Sequence, residues 1–235
     1  MQVSALLMAA GRGARFGADA PKQYLPLLGR PVLRHAAEAL LRDGLVGRLL
    51  PVCAPGEEAR VAALLDGLPA VLPPVPGGDT RQRSVRAGLE ALASAESVTD
   101  AVLVHDAARP VVPAGTVARL LAALAEARGA IPAQRVTDTL KRGDASGRIV
   151  STVPREGLWR AQTPQAFRFP ELLAAHRAAA GEATDDAEIL EAAGGAVALV
   201  EGSESNVKIT FPEDLSRVAA GLSAGLMPRV GTGFD

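Results

Sequence analysis

Short apolar runs alternate with amphipathic stretches along most of the chain. Val3 to Ala9 is a continuous apolar run ending in glycines, the pattern of a strand buried on both faces. From Val32 to Leu41 the apolar residues Val32, Leu33, Ala36, Ala37, Leu40 and Leu41 recur at helical spacing. The same reading predicts strands at Leu49 to Cys53 (weakened by Pro51), Ala70 to Leu72, Ala101 to Val104, Gly129 to Ala133 and Val197 to Val200. It predicts helices at Glu57 to Leu65, Arg83 to Leu92, Thr116 to Ala127, Glu171 to Ala180 and Asp185 to Ala193. A last helix begins near Glu213, where Thr210-Phe211-Pro212-Glu213 has the form of a capping box with Thr210 as N-cap. Strands separated by helices predict an α/β fold, with a Rossmann-like, mostly parallel sheet and helices on both faces.

One segment breaks the rhythm. Arg135 to Lys141 and Arg148 to Val153 are β-prone runs joined by Arg142-Gly143-Asp144-Ala145-Ser146-Gly147, which reads as a hairpin. Neither run is apolar enough to bury both faces. A projecting arm over about 134–155 is expected, and a lone hairpin needs a partner surface to be stable. Gly221 to Gly233 is rich in glycine and small residues and reads as a linker or tail.

Composition narrows the class. A length of 235 residues favours one large α/β domain. With 48% hydrophobic and 22% charged residues, whole-chain disorder is excluded. The formal net charge of −1 argues against a general nucleic-acid binder, which needs a basic excess. The single cysteine, Cys53, forbids an intrachain disulfide and fits a cytoplasmic setting. The apolar run Ala5 to Ala10 is too short for a signal-peptide core or a membrane span, so no targeting or membrane segment is expected. The 25 basic residues include only three lysines, Lys22, Lys141 and Lys208, so each lysine is worth locating.

Four places carry candidate chemistry. After the first strand comes Ala9-Ala10-Gly11-Arg12-Gly13-Ala14-Arg15-Phe16-Gly17, with Pro21-Lys22 close behind. Glycines there let backbone N–H groups approach a phosphate, and Arg12, Arg15 and Lys22 add positive charge. The loop lacks the Gly-Lys-Ser/Thr of a nucleoside triphosphatase and the third glycine of a dinucleotide fold; a tight βα turn with solvated arginines is the alternative. Second, Gly77-Gly78-Asp79-Thr80 precedes a helix, with Ser84 in its first turn. Asp79, Thr80 and Ser84 suit helix capping, and the paired glycines suit backbone contact with a flat base. Third, an apolar strand ends in His105-Asp106, followed by Arg109. Ligands of open α/β sheets bind at that edge, and a carboxylate there suits Mg²⁺ beside phosphate oxygens, with Asp106 as an N-cap the bland reading. Fourth, Lys208 lies in the β-prone run Val207-Lys208-Ile209-Thr210, where simple solvation is the plainer reading.

Taken in order, the motifs Ala-Ala-Gly-x-Gly-x-Arg (from Ala9), Pro21-Lys22-Gln23-Tyr24, Gly77-Gly78-Asp79, His105-Asp106-Ala107-Ala108-Arg109-Pro110, Thr163-Pro164-Gln165 and Asn206-x-Lys208-Ile209-Thr210 resemble the 2-C-methyl-D-erythritol 4-phosphate cytidylyltransferases. The resemblance runs from about Val3 to Leu222. It implies a nucleotide-diphospho-sugar transferase type of fold, with 1–222 as the catalytic domain. It implies transfer of CMP from CTP to methylerythritol phosphate with Mg²⁺, releasing pyrophosphate, in the non-mevalonate isoprenoid pathway. Arg15, Lys22 and Lys208 would be catalytic. Ala9, Ala10, Gly11, Gly78, Asp79 and Ser84 would line the nucleotide pocket. Asp106 would hold the metal and face both substrates, Arg109 and Thr163 would contact the acceptor, and Thr184 would be a further substrate contact. Thr139 and Arg155 would reach the site of the other subunit of a homodimer from the arm.

Such a reaction needs no general base, because the attacking phosphate is already an anion, and a cation-rich site without a nucleophilic His or Cys suits it. The alternatives are a cytidylyltransferase for another polyol phosphate such as ribitol phosphate, and a non-catalytic nucleotide-binding module. A short-chain dehydrogenase is disfavoured: many use Tyr-x-x-x-Lys, and the only tyrosine, Tyr24, is followed four positions on by Leu28. Pro228-Arg229-Val230-Gly231-Thr232-Gly233-Phe234-Asp235 resembles the opening of the 2-C-methyl-D-erythritol 2,4-cyclodiphosphate synthases. Residues 223–235 are therefore expected to be a linker and the start of a covalently fused synthase domain.

Overall fold

In a computed structural model, residues 1–11, 21–95 and 98–226 are described. The elements in chain order are β1 (Val3–Ala9), a 3₁₀ turn (Lys22–Tyr24), β2 (Pro26–Leu27), β3 (Arg30–Pro31), α1 (Val32–Leu41), β4 (Arg48–Cys53), α2 (Glu58–Leu65) and β5 (Val75–Pro76). Then come α3 (Arg81–Ala93), β6 (Ala101–Asp106), α4 (Thr116–Ala123), β7 (Gly129–Arg135), β8 (Leu140–Gly143) and β9 (Ile149–Val153). The chain continues through β10 (Trp159–Ala161), β11 (Gln165–Arg168), α5 (Phe169–Ala178), α6 (Asp186–Ala192), β12 (Val197–Glu201) and α7 (Pro212–Leu226).

The central sheet runs β10-β7-β11-β6-β1-β4-β5, with β12 also paired to β7. The β1–β4, β1–β6, β4–β5 and β7–β12 pairs are parallel. β11 is antiparallel to both β6 and β7, and β10 to β7. The α/β expectation with a mostly parallel sheet holds. The sequence reading missed β10 and β11: they are too short to show a period, and Thr163-Pro164, a cis bond, separates them.

Alternation along β1 explains the layers. Val3, Ala5, Leu7 and Ala9 face one core with Leu33, Ala36 and Leu40 of α1, Val61 and Leu65 of α2, and Leu120 of α4. Leu6 faces the other with Val85 and Leu89 of α3, Leu172 of α5 and Leu190 of α6. Side chains of a strand point to alternate faces, so an all-apolar strand needs helices on both. A smaller cluster of Leu27, Val32, Ile209 and Val218 seats α7. No helix among the described residues is long and apolar enough to cross a membrane.

Three local expectations change. Ala70 to Leu72 forms only an isolated bridge from Val71 to Leu49, and the strand lies later, at β5. The start of α7 is closed by Asp214, not Glu213: Asp214 Oδ2 accepts from the N–H groups of Thr210 (2.8 Å) and Phe211 (2.9 Å). The arm exists as β8 and β9 in a sheet of their own, but Arg135 belongs to β7.

Candidate active site

The chain steps from β1 to β4 and β5 on one side, then returns to β6 on the other side of β1. That reversal opens a crevice at the carboxyl ends of β1 and β6, where open α/β sheets take their ligands. Register places Met8 opposite Asp106, and the Ala107 N–H donates to the Met8 carbonyl at 3.1 Å. The end of β1 and the Asp106 carboxylate therefore share one edge, while residues 12–20 of the glycine-rich loop lie outside the described residues. Gln23 holds the backbone just after β1: its buried amide donates to the Ala9 (2.7 Å) and Gly11 (2.9 Å) carbonyls. Arg15 lies outside the described residues. Lys22 begins the 3₁₀ turn, half-buried beside Gln23.

Asp106 is buried among cations. Lys208 Nζ stands 2.7 Å from Oδ2, Arg109 Nε 3.8 Å from Oδ2 and Arg81 Nε 3.8 Å from Oδ1. Burial alone would raise its pKa, but Lys208, Arg81 and Arg109 outweigh it and hold the carboxyl well below the usual carboxylate range. Lys208 is thus not a merely solvated residue. Its segment is irregular rather than a strand and is tied down where the Ile209 N–H meets the Ala108 carbonyl at 2.8 Å. Nor is Asp106 a helix cap; its carboxylate points into the cation cluster. Arg109 Nη1 donates to the Asn206 carbonyl at 2.8 Å, while its buried Nε makes no hydrogen bond among the described residues.

His105 and Thr163 set this loop. The Thr163 hydroxyl donates to His105 Nδ1 (2.9 Å) and accepts from the Asp106 N–H (3.1 Å); His105 Nε2 donates to the Arg109 carbonyl (2.9 Å). Burial pushes the His105 imidazole down to about 4, so it is neutral at pH 7. Thr163, expected to contact an acceptor, is buried with its proton committed to His105.

On the neighbouring loop, Thr80 is the N-cap of α3, accepting from the Arg83 N–H at 3.1 Å. Asp79 pairs with Arg83 at the surface. The buried Ser84 hydroxyl donates to the Thr80 carbonyl (2.8 Å) and accepts from the Gly78 N–H (3.1 Å). A Cβ on Gly77 would stand 2.9 Å from the Ala10 Cβ and 2.7 Å from Ser84 Oγ. Glycine is what lets this loop close against Ala10 beside β1.

Other candidates fall elsewhere. Thr184 gives both its N–H (2.7 Å) and hydroxyl (2.8 Å) to Glu188, next to the N-cap Asp185. Those bonds close the start of α6. Thr139 and Arg155 are exposed at the base of the arm, with Arg155 bonded to the Thr137 carbonyl. Residues 227–235, with the synthase-like motif, lie outside the described residues. Sequence reading missed Gln23, Arg81, Asp186 and His176. Arg81 Nη2 stands 2.8 Å from Oδ2 of the fully buried Asp186, whose Oδ1 accepts from His176 Nε2 at 3.0 Å. Asp186 opens a helix that also carries Glu188 and Glu191, and His176 is followed by Arg177, so neither stands out in sequence and only tertiary contact makes them meaningful.

A family model described as IspD: 2-C-methyl-D-erythritol 4-phosphate cytidylyltransferase matches residues 3–223. The chain belongs to this family. It is 54% identical to the bifunctional enzyme IspD/IspF of Granulibacter bethesdensis over 236 residues, covering 100% of this chain and 60% of that protein. It is 50% identical to the 2-C-methyl-D-erythritol 4-phosphate cytidylyltransferase of Cereibacter sphaeroides strain KD131, covering 96% of this chain and all of that one. The solved cytidylyltransferase of Thermus thermophilus superposes with a TM-score of 0.77 at 38% identity, covering 95% of this chain and 100% of that one. The chain spans about 60% of the length of the bifunctional relatives it matches. Asp106, at the switch point of the sheet, is the carboxylate around which Lys208, Arg81 and Arg109 gather.

Proposed function

We propose that the chain transfers a cytidylyl group from CTP to 2-C-methyl-D-erythritol 4-phosphate, releasing pyrophosphate and serving isoprenoid biosynthesis by the non-mevalonate route. The observation that carries it is Asp106, held anionic by Lys208, Arg81 and Arg109 at the sheet's switch point beside the end of β1. Family membership favours this acceptor over ribitol phosphate. The acceptor's phosphate oxygen attacks the α-phosphorus of CTP. A new phosphorus–oxygen bond forms as the bond to the pyrophosphate oxygen breaks, and pyrophosphate leaves with that electron pair. No proton need be removed, so the residues act by binding and charge neutralisation. Lys208 and Arg109 would hold phosphate oxygens; the Arg109 Nε, without a hydrogen bond among the described residues, is a buried donor suited to an anion. Arg15 and Lys22 would meet the triphosphate, and the Ala9, Ala10, Gly11, Gly78, Asp79 and Ser84 segments would frame the nucleoside.

Asp106 also suits Mg²⁺: it is a hard oxygen donor kept ionised, and its Oδ1 makes no hydrogen bond among the described residues. Bound there, Mg²⁺ would neutralise phosphate charge and orient the triphosphate. We extend the proposal to a cytoplasmic homodimer in which the arm brings Thr139 and Arg155 to the partner's acceptor site. The names of the bifunctional relatives support a fused synthase domain beyond Asp235, which sequencing the gene past that codon checks.

Pyrophosphate release tests the reaction, with CTP, UTP, ATP or GTP plus Mg²⁺, and methylerythritol phosphate or ribitol phosphate as acceptor. Release with CTP and methylerythritol phosphate alone is expected. Preference for ribitol phosphate reassigns the acceptor pocket, and silence with every pair overturns the reading.

A further inference from the structure

The Arg81 guanidinium is shared unequally between two carboxylates. It makes a close contact to Asp186 (2.8 Å) and a distant one to Asp106 (3.8 Å). Asp186 cannot swing away. It is fully buried, and its other oxygen is held by the equally buried His176 at 3.0 Å. Asp106 has its own close cation, Lys208, on Oδ2. The arrangement spans four elements: His176 on α5, Asp186 on α6, Arg81 on α3 and Asp106 at the end of β6. Nothing in helix stability alone requires a charged pair of this depth, and a buried ion pair is a weak source of stability.

We propose that Asp186, locked by His176, is a positioning residue that restrains Arg81 and keeps it from closing onto Asp106. Two opposite charges attract more strongly as they approach in a poorly solvated site. An Arg81 released from Asp186 has Asp106 as its nearest remaining carboxylate and would form a direct pair with Oδ1. That pairing would occupy Oδ1, the oxygen that Lys208 on Oδ2 leaves without a close cation. With the restraint in place, Arg81 contributes charge at a distance while Oδ1 stays available. Arg81 also opens α3, directly after the Gly77–Thr80 loop, so the restraint ties the nucleotide loop to the carboxylate. The inference rests on the cytidylyl-transfer reading for its consequence, but its geometry is independent of it.

The test compares wild type, Asp186→Asn, Arg81→Gln and the double variant for kcat, for separate KM values of CTP and acceptor, and for thermal unfolding. A crystal structure of Asp186→Asn is the readout independent of turnover. Asp186→Asn is expected to lose kcat by about tenfold or more with both KM values within about threefold. Its Arg81 should move to within ~3.2 Å of Asp106 Oδ1. The double variant should recover turnover relative to Asp186→Asn, because it removes the misplaced cation; double-mutant cycles expose such coupling. Should Asp186→Asn not fold, His176→Gln loosens the same restraint and is expected to show the same kcat loss to a smaller degree, again relieved by Arg81→Gln. Additive losses that follow the melting temperature, with Arg81 at its wild-type position, would overturn the proposal. A wild type inactive with every substrate pair would overturn the reaction instead, while the crystallographic distance would still decide the restraint.

Discussion

At the scale of single residues, charges gather around Asp106 while the neighbouring histidine stays out of them. His105 sits beside Asp106 yet is neutral at pH 7, bonded on both ring nitrogens and spent on loop geometry. This gives a sign for acid stability. The folded imidazole is pushed down to about 4 by burial, while an unfolded histidine titrates near ~6.5. Between those values the unfolded chain binds the extra proton. The contribution is therefore full above ~6.5, fades as pH falls, and is lost near 4. By pH ~5 the loss amounts to about 2 kcal/mol. Urea unfolding of the nucleotide-free protein at pH ~7.5 and ~5 measures it. His105→Gln, which keeps a donor for the Arg109 carbonyl, is expected to remove this part of the pH dependence. An unchanged pH slope in that variant would assign the effect to other groups.

At the scale of elements, glycine decides how closely helix α3 approaches the sheet. A Cβ on Gly88 would stand 2.9 Å from both Leu6 Cδ2 and Val52 Cγ2, and both side chains are fully buried. Alanine would gain helix propensity of about 1 kcal/mol, but overpacking of a closed core costs about 1–3 kcal/mol. Gly88→Ala is expected to lower the melting temperature by a few degrees. It should also weaken nucleotide binding, because α3 carries Arg81 and the Thr80 cap; thermal unfolding and CTP titration check both. An unshifted melting temperature would show that Leu6 and Val52 can yield. Much of the element pattern was legible in sequence because β1, β4 and β6 are buried on both faces and the helices are amphipathic. β10 and β11 were not legible: each is held by neighbours, Ala161 by Ala133 and Ala166 by Leu103 and Ala130, rather than by its own pattern.

At the scale of the whole molecule, the β8–β9 arm is mostly exposed and pairs with no other strand among the described residues. Ile149 and Val150 are 68% and 62% exposed, an apolar pair on a hairpin that is marginal alone. Sedimentation is expected to show a dimer. Ile149→Asp with Val150→Asp should shift it towards monomer and reduce kcat together, if the arm completes the partner's site. A fully active monomeric wild type would remove Thr139 and Arg155 from that site.

The sequence by itself determined the alternating α/β plan, the strand ending in Asp106 and the hairpin, because periodicity, turn residues and motif order are local properties. The tertiary structure decided which charges meet. Lys208 is 102 positions from Asp106 yet 2.7 Å from its carboxylate, and Asp186 reaches Arg81 across two helices. Thr163, a motif residue, turned out to clasp His105, and Thr184 to start a helix. Electrostatic partners are set by distance through space, which a linear pattern of apolar and polar positions does not encode.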